Sequence, residues 1–326
     1  MNGHSERNPY LFLVGCPRSG TTLLQRMLDN HPDLAVANDS HFIPRALSPS
    51  GAEGDVPLTD ELVDRVLRYH RFRRLGLSST AGEAAAARAK TYAGFVGELY
   101  SEYARLRGKE LAGEKTPDYV RYLPLLHSLF PRARMIHIIR DGRDVALSTL
   151  QWATGEKGPG KFALWRDEPV AVCALWWRWQ VQSGRRESPL LGPELYREVR
   201  YEDLVADPEA TLRSLAAFLG LPFAPEMVSF HAGKTKSDPT LSPKSAWLPA
   251  TPGLRDWRRD MAPRDLELFE AIAGGFLRDL GYEKKFDDVA PDTAAKAREC
   301  EAWWDAEMSR RRDRLERRRA EVGVAP

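Results

Sequence analysis

Long apolar runs, paired cysteines, clustered histidines and internal repeats are all missing from this chain of 326 residues, and each absence removes a class of protein. The longest apolar stretches, residues 10–14 and 171–177, are far shorter than the roughly 18 residues a membrane-spanning helix needs. The polar residues before Tyr10 lack the apolar centre of a signal peptide. Cys16, Cys173 and Cys300 are odd in number and far apart, forming neither a disulfide framework nor a zinc spacing, as suits a reducing compartment. A cytoplasmic protein with no membrane anchor is expected. His31, His41, His70 and His127 show no ligand spacing, so no metal is expected. The 48 basic residues nearly balance the 46 acidic ones, leaving a net charge of +2. That gives no bulk reason to bind nucleic acid, and none is expected as a partner. Glycine and proline follow no period, which excludes collagenous and low-complexity chains.

What is present is an alternation of buried strands and amphipathic helices. Residues 10–14 (YLFLV) form a continuous apolar run ending at Gly15, as in a strand covered on both faces of a parallel sheet. Residues 21–30 follow as a helix that ends at His31-Pro32. Residues 34–37, 134–140 and 196–201 are further strand candidates. Residues 45–77 read as loop and then helix, and 91–107 as a helix with an apolar stripe of Tyr92, Phe95, Val96, Leu99, Tyr103 and Leu106, best explained as core packing. Pro208–Leu219 and Pro263–Leu280 read as helices with proline in the first turn and glycine at the end. This order implies an α/β fold with a central parallel sheet, whose ligands bind outside the strands' carboxyl ends. We expect one domain over residues 9–285, with a helical insertion at about 45–108, and a charged helical tail over 286–326. The tail carries seven arginines between Arg310 and Arg319. It reads as a solvated helix whose Asp313 and Glu316 pair locally, with an anionic partner as the alternative.

The segment from Gly15 through Cys16, Pro17, Arg18, Ser19, Gly20 and Thr21 to Thr22 lies between the first strand and the first helix. It has the frame of a phosphate-binding loop, whose backbone N–H groups and helix N-terminus cradle anionic oxygens. Thr21 stands where a nucleoside triphosphatase places its lysine, and the cation has moved into the loop as Arg18. Arg140, at the end of another strand, offers a permanent forked cation for a phosphate. Ser148 follows about two helical turns later.

The first loop, with the leucines and the His-Pro-Asp that follow, resembles the 5′-phosphosulfate loop of sulfotransferases that use 3′-phosphoadenosine 5′-phosphosulfate (PAPS). The nearest likeness is to the tyrosylprotein sulfotransferases and their bacterial relatives. The resemblance implies a P-loop-type sulfotransferase fold flanked by helices, with Pro17, Arg18, Ser19, Gly20, Thr21 and Thr22 around the 5′-phosphosulfate. It also implies Arg140 and Ser148 at the 3′-phosphate, Tyr201 near the adenine, and Arg255 in a covering loop at residues 253–258. Lys115, in the sequence Gly-Glu-Lys-Thr-Pro, is implied at the transferring group beside Arg18. Relatives carry a glutamate at the position of Asp39, and in the tyrosylprotein branch it is the base.

The expected reaction is metal-independent in-line transfer of a sulfuryl group from PAPS, leaving 3′-phosphoadenosine 5′-phosphate (PAP). The acceptor is a hydroxyl on a small molecule, a saccharide or a tyrosine. Asp39 ranks first as base and His41 second, the latter for its favourable ordinary pKa. Trp165, Trp176, Trp177 and Trp179, with the loop at residues 155–160, fall where acceptor walls are expected, though core packing explains most of them. A homo-oligomer is compatible with the sequence. Two other readings stay open: a P-loop kinase or triphosphatase, which would need Mg²⁺ and a loop lysine, and a nucleotide-binding scaffold without turnover.

Overall fold

The computed structural model describes residues 8–153, 158–232, 249–251 and 253–321. Five strands, β1 (Leu11–Gly15), β2 (Leu34–Asn38), β3 (Leu111–Lys115), β4 (Arg134–Ile139) and β5 (Tyr196–Arg200), alternate with helices along the chain. The helices are α1 (Thr21–Asp29), α2 (Phe42–Leu47), α3 (Asp60–Leu67), α4 (Ser79–Arg88), α5 (Tyr92–Arg105), α6 (Leu123–Leu129) and α7 (Gly142–Trp152). They continue with α8 (Pro169–Leu195), α9 (Tyr201–Ala206), α10 (Pro208–Leu219), α11 (Trp257–Asp260), α12 (Pro263–Asp279) and α13 (Pro291–Glu321). The chain divides into two compact units. The first holds residues 1–15, 20–139 and 184–252; the second holds 16–19, 140–183 and 253–326.

All five strands belong to the first unit and pair in parallel in the order β2-β3-β1-β4-β5. Their carboxyl ends therefore share one edge of the sheet. Alternation along β1 sends Phe12 and Val14 to one face and Leu11 and Leu13 to the other, the period of two that a strand imposes. The first face is covered by α2 to α6, with Phe42, Val66, Phe95, Leu99 and Leu126 in one core. The segment expected as an insertion, residues 45–108, packs within that core. The second face is covered by α1, α9 and α10 through Leu24, Leu28, Leu204, Leu212 and Leu215. Burial on both faces explains why β1 reads as an unbroken apolar run and β4 as a mainly apolar one.

Gly20 caps α1 with a left-handed φ of 88°. A Cβ there would come within 2.3 Å of the Tyr201 ring. Gly20→Ala thus meets both backbone strain, about 1–2 kcal/mol, and overpacking, about 1–3 kcal/mol. Urea unfolding should show a loss of this combined size, and Tyr201→Leu in the same chain should recover the overpacking part.

In the second unit, Arg143 of α7 is buried against Glu270 of α12 and Trp257 of α11. Arg143 is bidentate to Asp141, through Nε to Oδ1 at 3.0 Å and Nη2 to Oδ2 at 2.7 Å, and donates to Glu270 at 2.6 Å. Its guanidinium carbon lies 3.5 Å from the Trp257 ring centroid. The tail is expected as a solvated helix, but the first turns of α13 bury Ala297, Cys300 and Trp304. Trp304 packs on Phe162 at 4.7 Å between ring centroids and on Trp179 at 6.0 Å. Further along, Arg310 and Arg311 pair with Glu307, which precedes Asp313 and Glu316, the acidic residues the sequence points to.

Candidate active site

In the first unit, strand pairing sets Asn38 of β2 opposite Lys115 of β3. Asp39 therefore emerges from the sheet edge beside Lys115. The Asp39 amide donates to the Lys115 carbonyl at 2.7 Å, and Lys115 Nζ lies 3.1 Å from Asp39 Oδ1. Lys115 is 1% exposed, so its charge is held in a region where a paired carboxylate matters most. Arg74 approaches from the surface, with Nη1 3.5 Å from Asp39 Oδ2 and donating to the Asp39 carbonyl at 3.3 Å.

His41, two residues on, caps α2 with a left-handed φ of 59°. Burial first, then the Arg71 and Arg74 guanidiniums, push its imidazole down to about 4, against the opposing pull of Asp118 and Asp39. That removes the near-neutral basicity for which a histidine is favoured as a base. Glu114, the neighbour of Lys115, is also buried. It accepts from the Ser40 amide at 2.9 Å, from the Tyr100 hydroxyl at 2.6 Å and from the Thr116 hydroxyl. Burial pushes its carboxyl up, while these donors pull it back.

Thr21, Thr22 and Tyr201 belong to this unit too. Thr21 and Thr22 open α1, whose N-terminus has no side-chain cap, leaving first-turn N–H groups for an anion. Tyr201 lies against Gly20, which explains the close approach described above.

In the same unit, His137 of β4 is fully buried with Nδ1 2.6 Å from the Tyr196 hydroxyl. Burial, aided by Arg185, lowers its pKa from the ordinary 6.5 to about 3. Below pH 6.5 the unfolded chain takes up a proton that the fold refuses. This contribution to stability is complete above about pH 6.5 and declines as pH falls toward 3. Urea midpoints measured between pH 6 and 4 should fall with acidification. His137→Gln should lessen that slope by about 1.4 kcal/mol per pH unit.

The second unit holds Pro17, Arg18 and Ser19 from the first loop together with Arg140, Ser148 and Arg255. Arg18 Nε donates to Ser148 Oγ at 2.8 Å, joining two motifs that lie 130 residues apart. Arg18 adopts a left-handed φ of 78°, and its guanidinium carbon lies 5.9 Å from the Trp152 ring centroid. Burial, Arg255 and Arg140, in that order, hold Arg18 below the ordinary arginine range. Three guanidiniums thus converge and repel one another. Arg140 is buried with Nη2 3.1 Å from Asp144 Oδ2, and its carbonyl accepts from Trp177 Nε1 at 3.1 Å. Asp144 Oδ1 accepts from the Trp257 amide at 3.0 Å. Arg255 donates to Gln151 at 2.9 Å. Ser19 Oγ is buried and has no hydrogen-bond partner among the described residues. Converging cations and an orphaned hydroxyl in a loop fit an anionic ligand such as a nucleotide phosphate.

Trp176 and Trp177 are buried core residues, while Trp165 and Trp179 are half-buried. Residues 155–157 of the neighbouring loop lie outside the described residues. Several functional candidates went unread in the sequence. Asp144 stands four residues after Arg140, a helical spacing that could have marked it, whereas Glu114, Arg74 and Gln151 gave no comparable signal. Among the described residues no group of His, Cys, Asp or Glu side chains is arranged to hold a metal ion, and no helix is long and apolar enough to cross a membrane.

The model of a family described as the Sulfotransferase family matches residues 9–225. The chain belongs to the sulfotransferase family. It is 27% identical over 222 residues to protein-tyrosine sulfotransferase A of Caenorhabditis elegans, an alignment covering 68% of this chain and 52% of that protein. It is 26% identical over 280 residues to the protein-tyrosine sulfotransferase of Drosophila melanogaster, covering 79% and 50%. The chain thus spans about half the length of these two relatives. The sulfotransferase domain of the Synechococcus PCC 7002 olefin synthase has the same fold, with a TM-score of 0.58, 24% identity, and 85% and 95% of the two chains covered. The expected α/β sulfotransferase fold is therefore the observed one.

Proposed function

We propose that this sulfotransferase-family chain transfers the sulfuryl group of PAPS to an acceptor hydroxyl and releases PAP. The observation that carries the reading is the Arg18–Ser148 hydrogen bond with Arg140 and Arg255 close enough to depress Arg18. It joins the two motifs to which the resemblance assigns the donor's phosphates. In this reading Ser19, Gly20, Thr21 and Thr22, with the Pro17 turn, bind the 5′-phosphosulfate. Arg140, Ser148 and Arg255 bind the 3′-phosphate, and Tyr201 contacts the adenine.

The acceptor oxygen forms a bond to sulfur as the bond from sulfur to the 5′-phosphate oxygen breaks. The acceptor's proton passes to the Asp39 carboxylate, and negative charge grows on the departing phosphate oxygen. Lys115 and Arg18 neutralise that charge, the electrostatic role that dominates displacements of this kind. Asp39 is preferred to His41 because the imidazole's pKa of about 4 removes its advantage as a base. Positive charge from arginine and lysine lets the transfer proceed without a divalent metal. Three free buried cysteines accord with a reducing, cytoplasmic setting.

The test is incubation with sulfur-labelled PAPS in chelator, using 4-nitrophenol, a tyrosyl peptide and N-acetylglucosamine as acceptors. Labelled product from at least one of them is expected. Label retained on PAPS with every acceptor, alongside hydrolysis of Mg·ATP, would replace this reading with the triphosphatase one.

A further inference from the structure

Strand β3 sets two ionisable residues next to each other, Glu114 and Lys115, at 0% and 1% exposure. Lys115 has a part in the transfer proposed above and Glu114 has none. Every group on the Glu114 carboxylate is a donor: the Ser40 amide and Thr116 hydroxyl on Oε1, the Tyr100 hydroxyl on Oε2. A carboxylate, an acceptor only, satisfies that set. Burying such a group without full compensation is costly, so a fold that keeps it has a use for it.

The amide that Glu114 holds lies between two strained residues. Asp39 and His41 both have left-handed backbone, with φ of 54° and 59°. Side chains other than glycine avoid this region, and it persists only where the surroundings over-determine it. The backbone on the Asp39 side is tied to Lys115 by the Asp39 amide. At Ser40 the tie is the Glu114 side chain.

We propose that Glu114 is a positioning residue for the transfer reaction: by gripping the Ser40 amide it fixes the strained turn that holds the Asp39 carboxylate beside Lys115. The inference rests on the reading of Asp39 as the base. Displacement of a reacting group by about 1 Å can cost a hundredfold in rate, so a relaxed turn reads out in turnover before it reads out in binding.

The experiment compares wild type, Glu114→Ala and Glu114→Gln by amide hydrogen exchange at Ser40, by PAP affinity, and by kcat and KM with the acceptor that the transfer assay identifies. For Glu114→Ala, Ser40 exchange should accelerate and kcat should fall about 100-fold, with KM and PAP affinity within about threefold of wild type. Glu114→Gln keeps an acceptor for the Ser40 amide and should restore slow exchange and kcat to within about tenfold. A folded Glu114→Ala protein with wild-type kcat overturns the proposal, as does one with wild-type Ser40 exchange. If Glu114→Ala does not fold, the near-isosteric Glu114→Gln decides alone, since kcat and Ser40 exchange must then move together or stay together. Failure of the wild type to bind PAP removes the functional reading itself. PAP binding and transfer indifferent to Glu114 remove only this inference.

Discussion

Asp39→Asn is expected to lower kcat by about 10²–10⁴-fold, the usual worth of a general base, with PAP affinity unchanged within about twofold. Asparagine keeps the size of the side chain and an oxygen for Lys115 Nζ, now 3.1 Å from the carboxylate, but cannot take the acceptor's proton. Alanine would also stop turnover. It would leave Lys115, 1% exposed, without its carboxylate, so part of its effect would come from an uncompensated buried charge. The isosteric variant is therefore the cleaner measurement. His41→Ala should cost less than about tenfold, because an imidazole with a pKa of about 4 contributes little basicity at neutral pH. Steady-state kinetics on the two variants separate the candidates. A fully active Asp39→Asn protein removes Asp39 from the chemistry, and a collapse confined to His41→Ala transfers the role to the imidazole.

Arg18→Ala is expected to lower kcat by about 10²–10³-fold, the cost of removing one donor to charge developing in a transition state. PAP affinity should weaken as well, because the variant also loses the contact to Ser148 at 2.8 Å. Stability should move the other way. Arg18 is depressed by burial and by the guanidiniums of Arg255 and Arg140, so without ligand its removal relieves repulsion. The ligand-free variant should melt at or above the wild-type temperature, while the rise produced by saturating PAP should shrink. Thermal unfolding with and without PAP measures both effects. A ligand-free variant much less stable than wild type, with its PAP shift intact, would make Arg18 a structural residue.

The strands of this fold were legible because the sheet is covered on both faces. Leu11–Gly15 and Arg134–Ile139 show as apolar runs within one residue of their observed ends. Strand β3 was harder to see, since its sequence LAGEK ends in two charged residues that no pattern marks as buried. Helix α2 (Phe42–Leu47) contains Pro44, which the first helical turn tolerates but which reads as loop beside the polar residues before it. Arg143, in the sequence Arg-Asp-Gly-Arg, carries no local mark of burial. Its burial depends on Glu270, 127 residues away, and such a distant partner leaves no local trace. The same limit applies to the site: the loop and Arg140 announce themselves by residue type and spacing, whereas Glu114 matters only through the turn that long-range strand pairing brings to it.

Calorimetric titration with PAP in chelator, set against ATP with and without Mg²⁺, tests the central claim most directly. Tight metal-independent binding of PAP, with ATP much weaker under both conditions, is the predicted result. Preference for Mg·ATP, or no binding of either nucleotide, would contradict it.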